Sequence, residues 1–169
     1  NGLMDETLNQ KFSGAGLVAF GPRSIKKVYP QWWGALGNGV NDDTSAIQAA
    51  INSIIAGVVS FVNGSYRITY TLNIDGTIQY YINFKGVGVG SRLFYDGTTA
   101  SIPMVYYQGG NNAVLSTIKR LGFYNNYRTG NTVLNGIIGI RIGKKDAGAT
   151  TGAGGTCNVT IEKNQFQYC

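Results

Sequence analysis

The 169-residue chain contains no histidine. That excludes Ser-His and Cys-His nucleophile pairs, a histidine general base, and any metal site built on imidazole. Cysteine is limited to Cys157 and Cys169, twelve positions apart. Two are too few for a disulfide framework; they read as two buried thiols, with a mutual bridge as the alternative. Charged residues make up 13% of the chain, against roughly 25% in an ordinary soluble domain. Long amphipathic helices would need more Glu, Lys and Ala. No apolar run is long enough to span a bilayer: the longest, 54–59, is interrupted by Gly57, so no membrane insertion is expected. The net charge is +6, yet basic residues come only as short pairs, Lys26-Lys27, Lys119-Arg120 and Lys144-Lys145. A nucleic-acid surface would be denser and interleaved with aromatics, so no nucleic-acid partner is expected. Scattered surface charge is the plain reading of the excess, and attraction to an acidic polysaccharide is its alternative.

What the chain does have is glycine, 25 residues of it, and 11 tyrosines. From Val58 onward, short β-rich runs alternate with Gly, Asn or Asp turns, the punctuation of all-β structure. The runs are 58–62, 66–74, 80–85, 92–95, 104–108, 116–124, 136–142 and 158–166. Phe123 and Phe166 sit in similar contexts 43 positions apart, which suits two solenoid turns of about twenty residues each. Asn164 and Asn125 or Asn126 are candidates for an amide ladder along the stack, with ordinary turn asparagine as the alternative. The small-residue stretch 147–156 reads as a loop bulging between rungs.

The densest signal is 29–50, YPQWWGALGNGVNDDTSAIQAA. Trp32 and Trp33, the only tryptophans, precede Gly34, Gly37 and Gly39, where the backbone can turn tightly. Asp42, Asp43 and Thr44 then lead into an apolar stripe, Ile47, Ala50, Ile51 and Ile54, at helical spacing. Asp and Thr are good helix N-caps, so the paired carboxylates read as capping and dipole-complementing groups.

This order of parts resembles the leading segment of pectate-lyase-like right-handed parallel β-helix proteins, in the version found in bacteriophage tailspikes and capsule depolymerases. The matching residues are Trp33, Gly34, Ala35, Gly37, Gly39, Asp42, Asp43, Thr44 and 46–50, followed by 59–61 and 64–66. The sequence departs from the pattern at Asn38, where an acidic residue is usual, and at Asn63, where a proline is usual. The resemblance implies an all-β right-handed parallel β-helix with a short N-terminal capping helix. Its parts would be a linker or the end of a virion-anchoring domain over 1–27, the leading motif and helix over 28–57, and the first rungs over 58–169. It implies a virion tail protein, assembled as a homotrimer and attached to tail or baseplate proteins. Such a protein binds, and as a hydrolase or lyase depolymerises, a bacterial capsule or lipopolysaccharide. A non-enzymatic fibre or adhesin and a secreted cellular polysaccharide-degrading enzyme are the rivals. Trp33, Gly34, Asp42, Asp43 and Thr44 would be structural members of the motif.

The carboxylates are Asp5, Glu6, Asp42, Asp43, Asp75, Asp96, Asp146 and Glu162. Glycoside hydrolysis needs an opposed pair, and the tight pairs here have structural explanations. No calcium cluster is formed in sequence, so neither metal nor cofactor is expected. No catalytic residue is assigned; the chain starts without methionine and stops in mid-pattern, and the chemistry is expected beyond Cys169. Residues 1–169 alone are therefore expected to be inactive. Sugar contact is expected at Tyr124, Asn126, Tyr127 and Arg128, an aromatic ring with polar groups around it. The Tyr80-Tyr81 and Tyr106-Tyr107 pairs are second candidates, one ring of each pair turning inward.

Overall fold

In a computed structural model of the protein, residues 7–14, 16–22, 24–108, 114–125, 137–143 and 157–167 are described. The described residues are mostly β, with one α-helix and three sheets of parallel strands. The first sheet holds β1 (Lys27–Val28), β3 (Ala56–Ser60), β6 (Tyr81–Lys85), β9 (Val114–Lys119) and β12 (Cys157–Glu162). The second holds β2 (Asn38–Asp42), β4 (Gly64–Ile68), β7 (Ser91–Tyr95), β10 (Gly122–Asn125) and β13 (Gln165–Gln167). The third holds β5 (Leu72–Asp75), β8 (Pro103–Gln108) and β11 (Ile138–Gly143). From β3 onward the chain visits first, second and third sheet in rotation.

Parallel register turns this rotation into columns of like side chains. Val59 pairs with Phe84, and Phe84 with Ile118. Tyr66, Leu93, Phe123 and Phe166 form a second column. Leu72 with Val105 and Ile140, and Ile74 with Tyr107 and Ile142, form two more. Phe61, Phe84 and Tyr107 meet in the interior at ring-centroid distances of 5.4 and 6.4 Å. Each fully buried member contributes about 1.5–3 kcal/mol, whereas Phe166 and Ile142, at the last circuit described, remain exposed.

The helix α1 (Thr44–Asn52) buries Ile47, Ala50 and Ile51 of the expected stripe together with Ala46, while Ile54, also buried, follows the helix end. The helix stands where a strand would otherwise pair with the free edge of β5. An uncovered edge is an association hazard, and Gln48 closes part of it. Its side-chain amide accepts from the Asn73 N–H (2.9 Å) and donates to the Asn73 carbonyl (2.9 Å), as a strand backbone would. Gln48→Ala is therefore expected to cost about 1 kcal/mol, read as a lower urea midpoint at unchanged slope.

Residues before β1 lie against this same end. Trp32 Nε1 donates to the Thr7 carbonyl at 2.8 Å, and the Lys11 and Phe12 amides both donate to the Trp32 carbonyl. The Phe12 and Phe20 rings flank Trp33 at 4.9 and 6.5 Å.

The structure corrects three expectations. The runs 66–74, 116–124 and 158–166 each divide into two strands on different sheets. Their corners carry no glycine: Arg120 and Lys163 turn the chain with φ of 57° and 54°, a conformation uncommon for side chains of this kind. Phe123 and Phe166 are direct register partners, stacked at 4.9 Å. The 43 positions between them thus make one circuit of three sheets, lengthened by its loops, rather than two. Asn164 does bond along the stack, but to backbone and not to another asparagine: it accepts from the Leu121 N–H (3.0 Å) and donates to the Ile118 carbonyl (2.8 Å). The expected loop 147–156 and Cys169 lie outside the described residues.

Candidate functional site

Alternation in the second sheet sends one set of side chains outward. Register then aligns Ser65, Arg92, Gly122 and Gln165 in one row. Arg67, Phe94, Tyr124 and Gln167 form the next row. Together with Asn38 and Gly39 of β2, Ser65, Arg92, Phe94, Tyr124, Asn125 and Gln167 line a concavity of about 370 Å³. It crosses the sheet from β2 to β13, which at about 4.8 Å per strand step is roughly 19 Å.

Tyr124 is the centre of this surface, and Gly122 makes its position possible. A Cβ on Gly122 would overlap the Tyr124 ring, so the glycine lets the ring lie down along the sheet. The Tyr124 hydroxyl donates to Gln165 Oε1 at 2.7 Å. The Arg92 guanidinium stands 5.5 Å from the ring centroid, a cation–π distance. Arg92 Nε donates to the Val89 carbonyl at 3.3 Å, and among the described residues no carboxylate pairs with it. Arg67, in the neighbouring row, is bonded through Nε to Asp96 Oδ2 at 2.6 Å.

One rim of the concavity is set by the leading motif. Asp43 occupies the N-cap position of α1 yet makes no side-chain bond to that helix. This corrects its expected capping role. Its carboxylate instead accepts from the Leu36 N–H (2.8 Å) and the Gly37 N–H (3.0 Å). It thereby pins the turn in which Gly37 has φ +60° and lies against the Tyr66 ring. Asp42 is the residue that reaches the first helical turn, accepting from the Thr44 N–H at 3.0 Å. It also accepts from the Thr44 hydroxyl (2.5 Å) and the Thr69 hydroxyl (2.7 Å). Thr44 Oγ1 in turn accepts from the Thr69 N–H. Burial pushes the Asp43 carboxyl above its ordinary range despite the two amides. Burial acts upward on Asp42 as well, but the bonds from Thr44 and Thr69 outweigh it and hold that carboxyl low. Trp33 is half-buried between Phe12 and Phe20, and Gly34 ends the 3-10 turn Pro30–Trp33 with φ 92°.

Of the expected sugar-contact cluster, Tyr124 lies in the concavity, while Asn126, Tyr127 and Arg128 lie outside the described residues. Asn125 is buried. Tyr107 turns inward, donating to the Ile82 carbonyl at 2.8 Å. Tyr106 points to the other side but is also buried, beside Arg141 at 5.2 Å, which corrects its candidacy as an exposed ring. Tyr81 is exposed. Arg92 and Phe94 were missed: they stand about thirty positions from Tyr124 in sequence, and only the register brings them beside it.

A second, larger groove of about 700 Å³ runs between α1 and β5. Most of its polar groups already bond to one another, Gln48 and Gln108 to Asn73 and Asp42 to Thr44, and Asp75 bonds to Thr77 beside it. The second-sheet concavity instead offers two aromatic side chains and a cation with no acidic partner among the described residues, and is the better binding surface.

No protein-family profile matches the chain. It is 40% identical over 78 residues to mannuronan C5-epimerase AlgE1 of Azotobacter vinelandii, a match covering 41% of this chain and 6% of that enzyme. The fold is similar to that of ORF18 of Geobacillus virus E2, with a TM-score of 0.53 and 25% identity, over 70% of this chain and 24% of the viral one. The chain thus spans only a small part of each protein it matches. Its likenesses are to a polysaccharide-acting enzyme and to a phage protein.

Proposed function

We propose that this chain is the N-terminal part of a phage tailspike. In this reading it coils as a right-handed parallel β-helix, and the outer concavity of the second sheet holds a bacterial surface polysaccharide. The observation that carries the reading is the surface itself: Tyr124 and Phe94 side by side in register, Arg92 over the Tyr124 ring, and Asn38, Ser65 and Gln167 around them. Aromatic faces stack on the apolar faces of sugar rings, while amides, hydroxyls and guanidinium bond their substituents. The rotation of the chain through three parallel sheets supports the coil, and crossovers between parallel strands are right-handed in about 98% of cases. The likeness to an enzyme acting on mannuronan and to a phage protein supports the polysaccharide and the virion.

The test is direct binding, by calorimetry, to purified capsular polysaccharides and lipopolysaccharide O-chains. Micromolar binding to at least one, lost on changing the second-sheet surface, is expected; no binding across the panel contradicts the reading. Gly122→Ala is a sharp probe of that surface. The added methyl displaces the Tyr124 ring without touching the interior, so the melting temperature should hold while affinity falls about tenfold, roughly 1.4 kcal/mol. Unchanged affinity would remove Tyr124 from the site. We further propose a parallel homotrimer attached to tail or baseplate proteins. Sedimentation equilibrium should return three times the chain mass, and a monomer at micromolar concentration would contradict it.

A further inference from the structure

We infer that the second-sheet site selects an anionic glycan, with Arg92 as the residue that reads the charge. The inference rests on the polysaccharide-binding reading and adds the chemical class of the ligand. It follows from a contrast between two arginines and two grooves. Arg67 and Arg92 belong to adjacent outward rows of one sheet. Arg67 is neutralised by Asp96 at 2.6 Å and also reaches the Val40 carbonyl at 3.4 Å. Arg92 is exposed, and among the described residues its guanidinium makes one hydrogen bond, from Nε to the Val89 carbonyl. Among the described residues no carboxylate touches it, and no acidic side chain lines the concavity. The α1–β5 groove has the opposite character, lined by Asp42 and Asp75 with no basic residue.

An unneutralised guanidinium at a concave, partly desolvated surface is a strong anion receptor. Its planar fork matches a carboxylate or a phosphate through two parallel bonds, which an ammonium group does not reproduce. Here Nε is anchored to the backbone and the ring of Tyr124 lies 5.5 Å from the guanidinium. The remaining donors are therefore held at one place beside an aromatic face. A sugar stacked on Tyr124 would place its anionic substituent against Arg92. A neutral glycan would leave that charge without a partner. The net charge of +6 adds long-range attraction toward a polyanion.

The experiment titrates the protein by calorimetry with mannuronan oligosaccharides and with anionic and neutral capsular and O-chain oligosaccharides. The tightest binder is then measured again after carboxyl reduction and, separately, after hydrogen fluoride dephosphorylation. The expected result is that the tightest binder is anionic and that one of the two treatments weakens it at least tenfold. The treatment that does so identifies carboxylate or phosphate as the group read. Arg92→Gln should weaken the untreated glycan to the same extent, leave the treated one unchanged, and reduce the dependence of affinity on salt. Arg92→Lys should fall between, keeping the charge without the fork. Because Arg92 is exposed, its variants should keep the native melting temperature, which separates lost recognition from lost folding. Equal binding of treated and untreated glycan, or wild-type affinity in Arg92→Gln, overturns the inference while leaving the sugar site standing. Binding to no member of the panel overturns the site and the inference together.

Discussion

Replacing Asp43 with alanine is expected to lower the unfolding free energy by about 2–4 kcal/mol, because two charge-assisted hydrogen bonds are lost together. The Leu36 and Gly37 amides lose the acceptor that Asp43 gives them, and the positive-φ turn at Gly37 loses its anchor. Asp43→Asn keeps one acceptor oxygen but points an N–H at the second amide, so it should recover less than half of the loss. Urea unfolding measures both, and a midpoint within about 0.5 kcal/mol of wild type for Asp43→Ala would contradict the assigned role. The neighbouring carboxyls also titrate in opposite senses. Asp43, raised in the folded state from 3.8, binds more protons folded than unfolded, so its contribution is lost as pH rises through its folded value. Asp42, lowered from 3.8, binds fewer protons folded, so its contribution is lost as pH falls below that figure. Asp42→Asn should therefore flatten the acid limb of a stability profile, and Asp43→Asn the decline above it.

Tyr124→Ala is expected to weaken glycan binding at least about thirtyfold, roughly 2 kcal/mol, as removal of an aromatic anchor at the centre of an interface does. Three arrangements converge on that ring: Gly122 beneath it, Arg92 over it and Gln165 at its hydroxyl. Tyr124→Phe keeps the stacking face and loses only the bond to Gln165, so it should cost less than about tenfold. The ring is half-buried on the outside of the sheet, so neither variant should shift stability by more than about 1 kcal/mol. A Tyr124→Ala protein that binds as the wild type would place recognition elsewhere on the molecule.

The helix was legible in the sequence because Ile47, Ala50 and Ile51 repeat at its period, and the packing obeys that stripe. The strands were legible where Gly or Asn punctuates them, as at Asn63-Gly64 where β4 begins. They were not legible at corners made by Thr69-Tyr70-Thr71, Arg120 or Lys163, where residues of ordinary or high β-propensity turn the chain. Propensity there is overruled by the register of the neighbouring circuit. The same limit governs the site. Tyr124 stood out as an aromatic residue near a turn, but Arg92 and Phe94 carry no local signal. Their role comes from pairing across circuits of unequal length, 30 residues from Leu93 to Phe123 and 43 from there to Phe166. The orientation of Asp42 and Asp43 was hidden for a related reason. Either carboxylate satisfies the spacing of a cap, and the choice is made by Thr69 on one side and the Leu36–Gly37 turn on the other.

The most direct measurement is a crystal structure of the protein with the tightest-binding oligosaccharide from the calorimetric panel. The account predicts sugar rings stacked on Tyr124 and Phe94, running across the second sheet from Asn38 toward Gln167, with a charged substituent at Arg92. An oligosaccharide seated in the α1–β5 groove against Asp42 and Asp75, with the second sheet bare, would contradict it.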